Sequence, residues 1–115
     1  MRRTVHKVCP QGDWSAAQKN GTFAGSPDDL RDGYIHLSTA HQLPATLAKH
    51  FSGQGDLVLI SFSSDSLGDA LRWEPSRGGE LFPHYYGALP AALARSVVAL
   101  PLAADGRHVL PEELA

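Results

Sequence analysis

The clearest alternation of apolar and polar residues lies in residues 32–39, which read Asp-Gly-Tyr-Ile-His-Leu-Ser-Thr. This pattern predicts a turn, a strand of about five residues and the start of a helix. Successive side chains of a strand point to opposite faces, so Ile35 and Leu37 share an apolar face that suits a core. The other face carries Tyr34, His36 and Ser38. Three hydrogen-bonding groups in a row form either the floor of a polar small-molecule site or a surface that faces water.

Two segments with simple apolar patterns predict the main core elements. Residues 57–60, Leu-Val-Leu-Ile, are apolar on both faces, which is typical of a strand in the centre of a sheet. Leu43, Leu47 and Phe51 recur every four residues. This spacing predicts a regular helix from about residue 44 onward, after an irregular first turn caused by a proline.

The remaining pattern predicts short elements. Strands are predicted at residues 4–9, 70–74 and 95–102, and short helices at residues 14–19 and 89–93. A strand-like run at residues 80–87 contains Pro83. This proline favours an edge strand or a bulge, because it cannot donate a ladder hydrogen bond. Most helices precede most strands, so the sequence predicts an α+β fold with split antiparallel or mixed sheets rather than regular βαβ repeats.

The composition is that of one globular domain spanning residues 1–115. Of the 115 residues, 43% are hydrophobic and 19% are charged. The formal net charge is -2 and the basic residues form no run longer than Arg2-Arg3, so generic nucleic-acid binding is not predicted. The one cysteine excludes an internal disulfide, and no apolar run approaches the ~18 residues of a membrane span. A cytoplasmic location is therefore expected.

Two common kinds of catalytic site lack their sequence signatures. The six histidines show no His-Glu-x-x-His spacing and no cysteine pair accompanies them, so no metal site is predicted. No Gly-x-Ser-x-Gly elbow is present. Ser38 and His36 would stand roughly 6–7 Å apart on one strand face, which is loose for a nucleophile and its base.

Residues 72–87 concentrate residue types that bind nucleotides or act on them. Arg77, beside two glycines, could contact a phosphate, because arginine binds phosphate oxygens through a planar fork. A carboxylate from Glu74 or Glu80 could stabilise positive charge on a ribose during glycosyl transfer. The aromatic candidates for stacking on a ring are Trp73 and Tyr86. Each residue also has an ordinary alternative, such as a core position for Trp73 or a surface ion pair for Glu74.

Three stretches resemble the signature of a small bacterial family known as domain of unknown function 952. They are residues 33–38 (Gly-Tyr-Ile-His-Leu-Ser), 72–74 (Arg-Trp-Glu) and 82–87 (Phe-Pro-His-Tyr-Tyr-Gly). The resemblance extends from the first predicted strand to the turn at residues 105–106. It implies a fold similar to that of the ADP-ribosyltransferase superfamily, whose split α+β domain holds NAD in a cleft between two small sheets.

The resemblance also implies roles for individual residues. In that superfamily a His-x-Ser/Thr stretch on an early strand holds the ribose and carboxamide of the nicotinamide side. His36 matches the residue that contacts the ribose hydroxyl, and Ser38 matches the one that contacts the amide. The late catalytic glutamate of the superfamily would correspond to Glu74 or Glu80, and its middle aromatic residue has no unambiguous match. An RNA 2′-phosphotransferase would bring several basic residues to the cleft, and this chain has few.

The resulting hypothesis is a pocket that binds NAD or another ADP-ribose-containing small molecule and transfers or hydrolyses at the ribose. His84 is the expected acid–base residue, because histidine exchanges protons near neutral pH. One alternative is a non-catalytic binding or sensor module, which would bind without turnover. Another is a structural or interaction domain, which would expose an apolar patch around Tyr85 and Tyr86.

Overall fold

The computed structural model describes residues 3–114, apart from the side chain of Arg77, and has an α+β fold. The strands are β1 (Thr4–Pro10), β2 (Thr22–Phe23), β3 (Ile35–His36), β4 (Leu57–Ser63), β5 (Leu71–Pro75), β6 (Leu81–Tyr85), β7 (Leu89–Pro90) and β8 (Ser96–Leu100). The α-helices are α1 (Gln11–Asn20), α2 (Pro27–Asp32), α3 (Leu43–His50) and α4 (Ser64–Leu67). Short 3-10 helices lie at Ala40–Gln42, Gly68–Ala70, Arg77–Gly79, Ala91–Leu93 and Glu112–Leu114.

Within residues 3–114 the strands form three antiparallel sheets, with the strand orders β1-β4-β8, β2-β7 and β3-β6-β5. The predicted α+β class is therefore confirmed. No helix in this part of the chain is long and apolar enough to cross a membrane.

Strand β4 is the centre of the first sheet, and every residue in it is buried. Its side chains face two hydrophobic clusters in alternation. Val58, Ile60 and Phe62 belong to one cluster, and Leu57 and Leu59 belong to the other. Helix α1 packs on the first cluster and helix α3 on the second. A strand between two apolar clusters must be apolar on both faces, so the predicted central strand is confirmed.

The entry into helix α3 also follows the prediction. An irregular turn, Ala40–Gln42, precedes the helix and carries a capping box between Thr39 and Gln42. Pro44 lies in the first turn of α3, where a backbone N–H has no partner within the helix, so a proline is tolerated there.

Strand β6 is central in the third sheet although it contains Pro83, so the predicted edge strand or bulge is wrong. Pro83 is paired with Trp73 on the β5 side. On the β3 side its carbonyl accepts a hydrogen bond from Leu37 N at 3.0 Å. The N–H and C=O of one residue point to the same neighbour in an antiparallel ladder, so the missing N–H affects only the pairing with β3.

Strand β3 is two residues long rather than about five. Its ladder with β6 ends at Pro83, whose carbonyl accepts a hydrogen bond from Leu37 N but which has no N–H to donate in return. The chain then turns toward the first sheet, where Ser38 and His6 exchange two backbone hydrogen bonds of 2.8 and 2.9 Å. This segment therefore joins the first sheet to the third.

Two predicted helices differ from the structure. Helix α1 begins at Gln11, directly after β1, rather than at Trp14. The segment predicted as a helix at residues 89–93 starts as β7, which pairs with β2, and only Ala91–Leu93 is helical. Helices of this length are not stable in isolation, so the pairing partner decides the conformation.

His6 of β1 is a polar residue buried in the fold. It is 2% exposed, and its Nδ1 lies 2.8 Å from Ser61 Oγ. Burial lowers the pKa of His6 from 6.5 to about 4. The ring is therefore neutral in the folded protein at neutral pH.

We expect the free energy of unfolding to fall by about 3 kcal/mol as the pH drops from about 6.5 to about 4, because of His6. In this window the unfolded chain binds a proton at His6 and the folded protein does not, so acid favours unfolding. The lowered pKa values of Asp29 and Glu74 act in a lower window, because their contributions are lost only as the carboxylates become protonated.

Urea unfolding across this pH range measures the effect. The slope of stability against pH should flatten in His6→Asn and stay unchanged in His41→Asn, which alters an exposed histidine. An unchanged slope in His6→Asn would contradict the assignment.

Candidate functional site

One face of the third sheet is polar because alternate residues of three strands project from it. The register pairs His36 of β3 with His84 of β6, and His84 with Arg72 of β5. Glu74 follows two residues later on β5 and therefore lies on the same face. The opposite face of β3 carries Ile35, which is buried in the core as predicted.

Four rings gather on this polar face. The ring of Tyr34 stacks on His84, with 4.0 Å between centroids and 27° between planes. Tyr34 also lies 4.7 Å from His36 and 5.4 Å from Tyr86, and the two imidazoles are 5.6 Å apart. The structure thus brings together the predicted site residues Tyr34, His36, His84 and Tyr86.

Beneath His36, the buried carboxylate of Asp29 accepts four hydrogen bonds. Its Oδ2 accepts from Lys7 Nζ at 2.8 Å and from Ser26 N at 2.9 Å. Its Oδ1 accepts from the backbone N of His36 at 3.0 Å and lies 2.6 Å from His36 Nδ1. Asp29 is 2% exposed and Lys7 is 5% exposed, so this is a buried ion pair.

The partners of Asp29 keep it ionised. Burial alone would raise its pKa, but the hydrogen bond from His36 and the charge of Lys7 together hold the pKa well below its ordinary value. Helix α2 places the carboxylate, because Asp29 is the third residue of the helix and forms a capping box with Ser26. Asp29 was not among the predicted site residues, because the sequence Ser-Pro-Asp-Asp at residues 26–29 is typical of an ordinary helix start.

Both ring nitrogens of His36 face carboxylates. Nδ1 lies 2.6 Å from Asp29 Oδ1, and Nε2 lies 3.0 Å from Asp32 Oδ2. An ionised carboxylate only accepts hydrogen bonds, so this arrangement suits a ring that carries hydrogens on both nitrogens. His36 can bond a ligand through Nε2 only if Asp32 gives way.

His84 is oriented by a carboxylate from the neighbouring strand. Its Nδ1 lies 2.8 Å from Glu74 Oε1, and the hydroxyl of Tyr86 donates to the same oxygen at 2.7 Å. The bond from His84, followed by that from Tyr86, lowers the pKa of Glu74, and the bond to Glu74 raises the pKa of Tyr86. With Nδ1 bound to a carboxylate, a neutral His84 ring has its lone pair on Nε2.

A cavity of about 290 Å³ opens beside these groups. Its walls include the predicted residues His36, Ser38 and His84, together with Asp29 and Asp32. Ser38 is buried, and its hydroxyl lies 3.3 Å from the hydroxyl of Thr46, which also lines the cavity.

Several predicted site residues lie elsewhere. Trp73 points away from the polar face of β5, packs against the core and carries the Arg3 guanidinium 4.0 Å above its ring. Glu80 accepts a hydrogen bond from Gln42 Nε2 at 3.1 Å and does not line the cavity. The side chain of Arg77 lies outside the described part of the structure.

Two other expectations concern metals and exposed apolar surface. In the described part of the chain, no group of three or more His, Cys, Asp or Glu side chains could hold a metal ion. Tyr85 is buried, and Tyr86 is 36% exposed but hydrogen-bonded to Glu74. Tyr85 therefore does not contribute to the exposed apolar patch expected of an interaction domain.

Comparison with known proteins identifies a family. Residues 8–97 match the model of the family described as Protein of unknown function (DUF952). The crystal structure of protein CC0527 from the bacterium Caulobacter crescentus is 42% identical, with a TM-score of 0.92 over 96% of this chain and 97% of that one. Its solution NMR structure is 43% identical, with a TM-score of 0.87 over 97% of each chain. No curated protein matches the chain. The family model covers most of the sequence, and this chain therefore belongs to the DUF952 family.

Proposed function

We propose that the cavity binds a small molecule containing ADP-ribose, with NAD as the first candidate, and that the ribose lies beside His36 and His84. The observation that carries the proposal is that His36 of β3, His84 of the paired strand β6 and Ser38, two residues after His36, line one cavity. Its volume of about 290 Å³ lies near the lower end of small-molecule pockets. It therefore suits the nicotinamide–ribose half of NAD, with the other half extending toward solvent.

The hydroxyl groups of the cavity suit the nicotinamide carboxamide. Ser38 and Thr46 stand 3.3 Å apart, and each hydroxyl can either donate or accept a hydrogen bond. A carboxamide offers both a donor and an acceptor, so the pair complements it. The likeness of residues 33–38 to the NAD-binding stretch of ADP-ribosyltransferases supports the same assignment.

The chemistry that fits these groups is cleavage at ribose C1′. The bond between C1′ and the nicotinamide nitrogen breaks, and both electrons leave with nicotinamide. The oxygen of water, or a hydroxyl or amine of an acceptor, bonds to C1′, and Nε2 of His84 takes the proton that this nucleophile releases. Glu74 holds the opposite side of the His84 ring, and the ionised Asp29 favours the positive charge that develops on the ribose.

Binding without turnover is the second candidate, and the position of the glutamates favours it. Glu74 is bound to His84 and Tyr86, Glu80 is bound to Gln42, and neither glutamate lines the cavity. A sensor or binding module needs the cavity but no free carboxylate beside the ribose.

Ligand-observed NMR of the full chain with NAD, ADP-ribose and nicotinamide tests both candidates. Binding of NAD with slow release of free nicotinamide would support the catalytic proposal. Binding without release would support the binding module. Absence of binding by all three compounds would overturn both.

A matched pair of variants locates the carboxamide. Ser38→Ala is expected to weaken NAD binding about fivefold, because one hydrogen bond contributes about 1 kcal/mol. ADP-ribose lacks the carboxamide, so its affinity should stay unchanged. Ser66→Ala, the same change at an exposed position on α4, should affect neither ligand. An equal loss for NAD and ADP-ribose in Ser38→Ala would contradict the assignment of Ser38.

A further inference from the structure

At the mouth of the cavity the Asp32 carboxylate lies between the guanidinium of Arg31 and the imidazole of His36. Arg31 Nε donates to Asp32 Oδ1 at 3.0 Å, and Arg31 Nη2 donates to Oδ2 at 3.4 Å. His36 Nε2 lies 3.0 Å from the same Oδ2. All three residues line the cavity, and each is partly or largely exposed, so ligand can reach them.

The local helix does not explain a carboxylate at this position. Asp32 is the last residue of α2, and a negative charge at a helix C-terminus is unfavourable. Its pKa is nevertheless lowered, first by the hydrogen bond from Arg31 and then by the charges of Arg31 and His36. The contacts with Arg31 and His36 therefore offset the unfavourable position.

Contacts that do not involve Asp32 hold His36 in place. Asp29 binds Nδ1 and the backbone N of His36, and Lys7 Nζ donates to the His36 carbonyl at 3.1 Å. The imidazole ring thus keeps its position when Asp32 moves. When the ring carries hydrogens on both nitrogens, Nε2 then presents one of them to the cavity mouth, next to the guanidinium of Arg31.

We propose that Arg31 and His36 form an anion subsite that takes a phosphate group of the ligand in the place that the Asp32 carboxylate occupies in the structure. A phosphate offers three acceptor oxygens and more negative charge than a carboxylate, so it can accept from the guanidinium and from Nε2 together. The Asp32 carboxylate competes with phosphate for the donors of Arg31 and His36. The identity of the rest of the ligand rests on the proposed function, but phosphate binding at this position does not.

Titration of the full chain with inorganic phosphate, followed through the backbone amide and ring resonances of His36, tests the subsite. Removal of the competing charge in Asp32→Asn should tighten phosphate binding about fivefold, because an exposed charge interaction is weak. The double variant Asp32→Asn with Arg31→Gln should lose this gain. Asp65→Asn makes the same change of net charge on α4, away from the cavity, and should leave phosphate binding unchanged.

The outcomes separate this inference from the proposed function. Equal tightening in Asp32→Asn and Asp65→Asn, or a gain that survives loss of Arg31, would overturn the subsite. Phosphate binding that follows the expected order, without binding of NAD or ADP-ribose, would keep the subsite and reject the ADP-ribose ligand. If NAD binds equally to all the variants and phosphate causes no response, the subsite is rejected and the ADP-ribose ligand is kept.

Discussion

Replacement of Asp29 by asparagine is expected to lower the free energy of unfolding by about 3–5 kcal/mol. Both carboxylate oxygens accept hydrogen bonds from donors only, namely Lys7, Ser26 and His36. An amide NH₂ in this position would face a donor whichever way it turned. The change also leaves the buried ammonium of Lys7 without its counter-ion. Urea unfolding at neutral pH measures the loss.

A control variant and a rescue variant test whether the loss comes from the buried ion pair. Asp28→Asn alters the neighbouring exposed aspartate, whose ion pair with Arg31 spans 3.3 Å at the surface, and should change stability by no more than about 0.5 kcal/mol. Adding Lys7→Met to Asp29→Asn removes the stranded charge and should restore part of the loss. An Asp29→Asn protein as stable as Asp28→Asn would show that the buried pair does not organise the site.

The second large effect concerns the proposed chemistry. His84→Gln should slow nicotinamide release from NAD by about 10²–10⁴-fold, because glutamine cannot accept the proton of the nucleophile. NAD affinity should change little, since the cavity walls from β3 and α3 are unaltered. The measurement is the rate of nicotinamide release alongside the NAD dissociation constant, with the urea midpoint as a check on folding.

Glu74→Gln tests the same assignment without removing the imidazole. A neutral amide holds the imidazole less firmly than a carboxylate does, so nicotinamide release should slow, but by less than in His84→Gln. His41→Gln, a change at an exposed histidine outside the cavity, should leave the rate unchanged. Full nicotinamide release by His84→Gln would reject His84 as the proton acceptor.

Local patterns in the sequence predicted much of the fold. The doubly apolar run at residues 57–60 became the central strand β4, and the period of four around Leu47 became helix α3 after an irregular turn. These predictions held because burial on two faces and helical periodicity are properties of neighbouring residues. The edge position predicted for Pro83 was wrong, because which side of a strand lacks a partner depends on the neighbouring strand.

The site was predicted in part. Alternation placed His36 and Tyr34 on one face, and the residue types concentrated at residues 72–87 added His84 and Tyr86; the structure brings their rings together. Trp73 was grouped with them because it is close in sequence, but alternation along β5 turns it to the opposite face. NAD binding and the likeness to ADP-ribosyltransferases stay predictions.

By itself the sequence determined the α+β class, the apolar faces and the row of polar groups, because each depends on spacing within one segment. Only the tertiary structure decided which polar groups meet. Lys7 and Asp29 are 22 residues apart, and Gln42 and Glu80 are 38 apart, and such pairs leave no period in a sequence. Asp29 reads as an ordinary helix-start residue until folding buries it beside Lys7 and His36. A buried carboxylate is stable only with such partners, because burial of an unpaired charge is unfavourable. The contacts of Asp29 with Lys7 and His36 therefore fix the geometry of the site.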